Sequence, residues 1–338
     1  MKERVYVQTN DAERNEVIAF DRSADGRLSP LGRYETGGRG TGKPHLASQR
    51  SIVLSDDGAY LLVTNAGSDE LSLFAVEADG LRIADRVGSG GSAPTSVAVR
   101  NAVVYALNNG TPNIGGFTLA DGRLTLLEGS TRALGEGADP AQIAFSPDGR
   151  TLVVTERGTN SITAYAVDDR GYADGAETIP SSGATPYGFD FADGAVVVTE
   201  AFGGEIGKAA ASSYSLAGAG RLAPVSASVA DTRSEVCWAA ATRDGRFVYV
   251  TNFGDGTISS YAVQEGGGLE LHEAVAASTR LGEPGIRDEA LSRDGRFLYA
   301  IDADAQRVFG WSVGDDGRLE LVGEVDGVPA TVAGLAAS

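Results

Sequence analysis

The stretch TRDGRFVYVTNFGDGTISSYAV (Thr242 to Val263) is one copy of a unit that recurs along the chain. Each unit has a polar Asp-Gly turn, an apolar run, a polar corner and an alternating run. Close copies are SDDGAYLLVTNAGSDELSLFAV (Ser55 to Val76), SPDGRTLVVTERGTNSITAYAV (Ser146 to Val167) and SRDGRFLYAIDADAQRVFGWSV (Ser292 to Val313). Looser copies begin at Val99 and Phe191. Asp-Gly between apolar runs marks a hairpin, because type I′ turns need positive φ. Most units are followed by a D-G-x-L segment and a further short run, as in DGRLTLL and DGRLELV. Four short strands per unit, repeated every ~40–55 residues, predict an all-β propeller. The second run of each unit is apolar on both faces, as a strand packed between neighbouring sheets requires.

Second strands are expected near Val5, Leu61, Val103, Leu152, Val196, Val248 and Leu298, which makes seven blades of four antiparallel strands in one domain, residues 1–338. Six have an inner strand just before them in sequence. The run at Val5 has none, while TVAGLAAS (Thr331 to Ser338) is an inner strand with nothing after it. The two are expected to pair in one composite blade and close the ring.

The net charge of −18 disfavours nucleic acid and anionic membrane surfaces as partners. The start, MKERVYVQTND, carries no long apolar stretch of the signal-peptide kind, and no uncharged run is long enough for a transmembrane helix. Cys237 is the single cysteine, so no intrachain disulfide forms and a reducing cytoplasm is the expected compartment. A small-molecule substrate is the expected partner. Nothing in the sequence speaks to oligomeric state.

In a propeller, the corner after strand two and the loop entering strand one share one face. The corners hold Asn10, Asn65, Asn108, Glu156, Glu200, Asn252 and Asp302. Asn and Asp end strands readily by bonding their own backbone. Glu has no such preference, so Glu156 and Glu200, on adjacent blades, are the expected base and acid. The entry loops add His45, Arg50, Tyr187, Trp238 and Arg287. Arg50 and Arg287 suit a carboxylate or phosphate, and Tyr187 and Trp238 offer flat apolar walls. Asn65, Asn108, Asn252 and Asp302 complete the expected substrate-binding set.

The sequence has no G-x-S-x-G, Walker A or H-E-x-x-H motif and no cysteine pair for zinc. With two histidines in all, a Ser-His-Asp triad has little support. The first expectation is that no cofactor is required. A ring of Asn, Asp and Glu oxygens is compatible with a divalent cation, Ca²⁺ or Mg²⁺.

The units SPDGRTLVVTERGTNSITAY and DGRFVYVTNFGDGTISSY resemble the blades of the lactonase family of seven-bladed propellers, and the resemblance runs over essentially the whole chain. That family includes bacterial 6-phosphogluconolactonase and is similar to fungal enzymes that lactonise carboxymuconates. The resemblance implies hydrolysis, or formation, of a lactone of a small acidic or sugar-derived substrate at the channel mouth. The family's G-P-R-H site segment is not matched: the nearest stretch, GKPHLASQRSIVLS (Gly42 to Ser55), has Pro44 and His45 adjacent. Two alternatives stand beside a lactone hydrolase or lactonising isomerase. One is a non-catalytic propeller that binds a small molecule or protein. The other is a divalent-metal-dependent hydrolase of the lactonase type.

Overall fold

The computed structural model describes residues 3–44 and 46–338. It contains seven antiparallel sheets, six of four strands and one, blade three, with a short fifth strand, 132–133, on its third. Blades two to seven each run outward in chain order. Their inner strands are Ile52–Leu54, Pro94–Arg100, Pro140–Phe145, Pro186–Ala192, Val236–Ala241 and Ile286–Leu291. Blade one is composite. Its inner strand, Ala333–Ala337, pairs antiparallel with Arg4–Gln8, in the register Val5–Ala337, Tyr6–Ala336 and Val7–Leu335. The expected closure of the ring is therefore present.

Apolar faces of neighbouring blades meet in seven separate clusters, one per seam. Val5, Val7, Ile18 and Phe20 of blade one, for example, pack on Phe297, Tyr299 and Ile301 of blade seven. Second strands are buried throughout, as in Thr151–Glu156 and Phe297–Asp302. The tyrosine in several of these strands ties its blade to the next. Tyr105, Tyr249 and Tyr299 donate to the carbonyls of Gly171, Gly317 and Gly26 at 2.9, 2.9 and 2.7 Å. A buried phenol thus finds a partner in the neighbour's outer hairpin.

The Asp-Gly turns differ from the two-residue form expected of them. In Ser146–Arg150, Gly149 has φ +74° but Asp148 is not left-handed, and the loop is wider. Ser146 Oγ donates to Asp148 Oδ1 (2.6 Å) and accepts from the Thr151 N–H (2.9 Å). This hydroxyl contact is the main reason the Asp148 carboxyl is held below its ordinary range. The tight form occurs in blade five, with Asp193 (φ +44°) and Gly194 (φ +75°) both left-handed, and in the outer hairpin of blade three, with Asp121 (φ +51°) and Gly122 (φ +71°).

Candidate functional site

The seven corner residues lie one per blade, and each is buried at a seam. Asn65 Oδ1 accepts from Thr36 Oγ1 (2.7 Å), which follows the outer strand of the preceding blade. Glu200 accepts from Ser212 Oγ (2.5 Å), Ser228 Oγ (2.7 Å) and the Gly183 N–H (2.7 Å). Asp302 accepts from Thr279 Oγ1 (2.7 Å) and Arg280 Nε (3.2 Å). Glu156 takes Thr163 Oγ1 at 2.5 Å and Thr159 Oγ1 at 3.2 Å, within its own blade. Asn108 and Asn252 donate to Asn113 Oδ1 (2.7 Å) and Ser259 Oγ (2.8 Å). The loop that enters each of several blades packs over that blade's corner side chain. A Cβ on Gly183 would sit 2.2 Å from Glu200 Oε2. Among the described residues, Glu156 and Glu200 share no hydrogen-bond partner.

On the same face, residues 46–50 cross the end of the channel. Asn10 holds the start of this strap, donating to Thr41 Oγ1 (2.9 Å) and the Lys43 carbonyl (3.0 Å). Ser48 Oγ donates to the Ala141 carbonyl (2.5 Å), and Trp238 Nε1 donates to the Ser48 carbonyl (3.1 Å). Gln49 brackets Ala239 of blade six like a strand, donating to its carbonyl (2.7 Å) and accepting from its N–H (3.1 Å). Trp238 and Tyr187 meet edge to face beneath the strap, in a buried cluster with Cys237. The Arg287 guanidinium stacks on the Phe253 ring at 4.9 Å. Burial raises the Cys237 thiol to about 12, so it carries no thiolate near neutrality. His45 lies outside the described residues.

A cavity of about 510 Å³ occupies the other half of the channel and opens on the face of the Asp-Gly turns. Aligning the seven inner strands by register shows what is unusual about it. Glu289 pairs with Ala300 at the level where the other blades place Ile52, Val97, Ile143, Phe189, Ala239 and Leu335. Asp190 pairs with Val197 at the next level, where the others carry Val53, Ala98, Ala144, Ala240, Ala290 and Ala336. Two carboxylates thus replace core residues. The strand between them, in blade six, is the alanine run Ala239–Ala240–Ala241, which leaves the space that they line.

Arg50 reaches this space from blade two. Its backbone is left-handed (φ +63°), and its Nη2 lies 2.9 Å from Asp190 Oδ1. Asp190 Oδ2 also accepts from the Ala241 N–H (3.0 Å). Asp288 is the bulge residue beside Glu289 and accepts from the Glu289 N–H (2.9 Å) and the Leu335 N–H (3.3 Å). Glu289 is 2% exposed, and neither of its carboxyl oxygens has a hydrogen-bond partner. Burial pushes Asp288 up to about 7. Burial, then the neighbouring Asp288 and Asp190, push Glu289 well above the carboxylate range. Two adjacent carboxyls whose protonated forms are favoured by burial, beside a guanidinium, can give and take a proton where charge develops.

Arg100, Arg243 and Arg293 stand at the cavity rim. Arg243 donates to the Arg293 carbonyl (2.8 Å), and Arg293 to those of Ser55 and Asp56. Neither forms an ion pair with a carboxylate among the described residues, whereas Arg100 contacts Asp56 (3.3 Å). In a chain of net charge −18, this is a local basic collar.

Of the residues expected from sequence and described here, only Arg50 lines this cavity; Asp190, Asp288 and Glu289 were missed. Their signal was present as a break in the repeat: PYGFDF and IRDEAL against PAQIAF. Among the described residues, no group of three or more His, Cys, Asp or Glu is arranged to hold a metal ion. No helix among them is long and apolar enough to cross a membrane.

Solved structures with the same fold cover the whole chain. They include a periplasmic gluconolactonase of Pseudomonas aeruginosa (TM-score 0.76, 17% identity, 100% of this chain and 99% of that one). A putative 6-phosphogluconolactonase of Bacteroides fragilis gives TM-score 0.73 at 17% identity, covering 100% of this chain and 98% of that one. A Lactobacillus plantarum protein gives TM-score 0.76 at 19% identity, with both chains fully covered. At such identities the likeness speaks for the fold alone. Among curated proteins, none matches the sequence. The family model described as lactonase, 7-bladed beta-propeller, matches residues 2–137, 126–201 and 208–336. With that match over nearly the full length, and seven blades closed by the two chain ends, the chain belongs to the lactonase family of seven-bladed β-propellers.

Proposed function

We infer that the protein hydrolyses a lactone, or forms one in reverse, in the axial cavity on the Asp-Gly face. The observation that carries this is the convergence of Arg50, Asp190, Asp288 and Glu289 at positions that are mostly apolar or uncharged in the sister blades. Arg50, held by Asp190, donates to the lactone carbonyl and stabilises the oxyanion that forms there. The ionised member of the Asp288–Glu289 pair takes a proton from the attacking water. The protonated member gives one to the ring oxygen as the C–O bond breaks, leaving a hydroxy acid. The same groups run lactonisation backwards. The basic collar favours substrates that carry an anion.

The test is a hydrolysis screen over sugar-derived and carboxylated lactones with wild type, Arg50→Ala and Glu289→Gln. Loss of an oxyanion donor is expected to lower kcat by about 10²–10³-fold. Loss of the proton-holding group is expected to lower it by about 10²–10⁴-fold. Folded variants that keep the wild-type rate would remove the assignment. Specific binding of a lactone with no turnover by wild type would favour a ligand-binding propeller instead.

A further inference from the structure

The axial cavity is layered by charge. At its floor are Asp190, Asp288 and Glu289 with the single cation Arg50, which is paired with Asp190. At its rim are Arg100, Arg243 and Arg293, with one carboxylate, Asp56, paired to Arg100. Glu289 and Arg293 lie on one chain segment, four residues apart, so their backbones are at most about 13 Å apart at roughly 3.3 Å per residue. The rim side chains are long enough to shorten that span from above.

A ligand carrying only negative charge would satisfy the rim and leave the floor as it is. The floor holds a carboxyl that is 2% exposed, lines the cavity and has no hydrogen-bond partner on either oxygen. An unpaired buried carboxyl is costly, and a cationic donor is the group that relieves it. The alanines of blade six leave room beside it.

We propose that the cavity takes a zwitterionic ligand, an amine-bearing carboxylic acid. The ammonium group lies at Glu289 and the anionic group at Arg243 and Arg293. This rests on the cavity being the small-molecule site inferred above, and it narrows the ligand to one chemical class. The groups facing Glu289 are Asp288, Asp190 and, from blade six, Tyr249, while Arg50 is paired with Asp190. In the empty protein burial and the carboxylates beside Glu289 favour a proton on it. An entering ammonium group displaces it, so binding releases a proton and tightens as pH rises.

The test is calorimetric titration of the intact protein with linear ω-amino acids of four to eight carbons, such as 6-aminohexanoate. Adipate and 1,6-diaminohexane serve as probes carrying only one sign of charge. At least one amino acid is expected to bind 10-fold or more tighter than both, with an enthalpy that changes with buffer ionisation because a proton is released. Glu289→Gln, and Glu289→Ile (the residue blades two and four carry), are each expected to weaken it at least 10-fold. Arg243→Ala with Arg293→Ala is expected to do the same. The Ile variant keeps the test open if Gln fails to fold. Adipate binding as tightly as the amino acids, amino-acid binding unmoved by Glu289→Ile, or no binding of any amino acid would overturn the proposal.

Lactone turnover is measured on the same samples. Turnover of anionic lactones without amino-acid binding overturns the ligand class alone. Amino-acid binding without turnover of any lactone overturns the hydrolase reading alone.

Discussion

Arg50 Nη2 lies 2.9 Å from Asp190 Oδ1, although the two residues stand on blades two and five. An ion pair across the channel of a propeller does not hold neighbouring blades together, since that is done by the apolar seams. It sets where a guanidinium points. The pair is part-exposed, with side-chain exposures of 33% and 22%. Such pairs contribute little to stability, about 0–1 kcal/mol. Its main effect is therefore on the orientation of Arg50.

Asp190→Ala, which installs the residue found at this level in five sister blades, is accordingly expected to leave Tm within about 3 °C of wild type. Hydrolysis by the same variant is expected to fall as Arg50 loses its anchor. Thermal melts and rates on one preparation check both. A variant that melts far below wild type would make Asp190 a structural residue.

Glu289→Ile removes a buried carboxyl without partners and restores the apolar pattern of the seam. It is expected to raise stability at pH 8 by about 1–3 kcal/mol, the cost of an unsatisfied buried polar group. The gain shrinks at low pH. The native carboxyl titrates above its unfolded value, so the wild type loses stability as pH rises through that range and keeps it below. Denaturant melts at pH 5 and pH 8 read the difference.

Asp231 offers a second pH-dependent term, in the seam between blades five and six. It follows its outer strand at the place where Thr36 and Thr279 donate to Asn65 and Asp302. Asp231 Oδ2 and Asn252 Oδ1 are instead both buried acceptors without partners. Burial raises Asp231 to about 6, so its penalty grows as pH climbs from about 4 to above 6. Asp231→Thr is expected to raise Tm at pH 8 and to change it little at pH 4. A pH-independent shift would contradict this.

The repeat made the architecture readable. Asp-Gly turns, doubly apolar second strands and the unpaired run at Thr331 to Ser338 all reflect local rules that every blade obeys. The candidate site was less readable for the opposite reason, since it lies where single blades depart from those rules. Glu289 looks like an ordinary polar residue until IRDEAL is set in register with PAQIAF, and the register depends on a bulge that the sequence does not mark. The corner residues misdirect in the other sense. They line up in sequence, but the loop at Gly183 forces the Glu200 side chain into the seam rather than toward the axis.

The strap is a related case. Residues 46–50 look like an entry loop, and only packing shows that Gln49 grips Ala239 across the channel. Gln49→Ala is expected to cost about 1–3 kcal/mol, because it leaves the buried Ala239 N–H and carbonyl unpaired. Hydrogen exchange at Ala239 and Ser48 should quicken with it. Unchanged protection would mean that the strap is held by other contacts.

The measurement that bears most directly on the whole account is a comparison of three isosteric variants, Glu289→Gln, Glu200→Gln and Glu156→Gln, on the best lactone found, with each rate expressed per folded molecule. The account predicts a loss of about 100-fold or more for Glu289→Gln, on the scale of general acid–base catalysis. The two seam carboxylates should change thermal stability and leave the rate per folded molecule within a few-fold. If instead Glu200→Gln or Glu156→Gln abolishes turnover while Glu289→Gln turns over like wild type, the reaction belongs to the opposite face and the axial site is wrong.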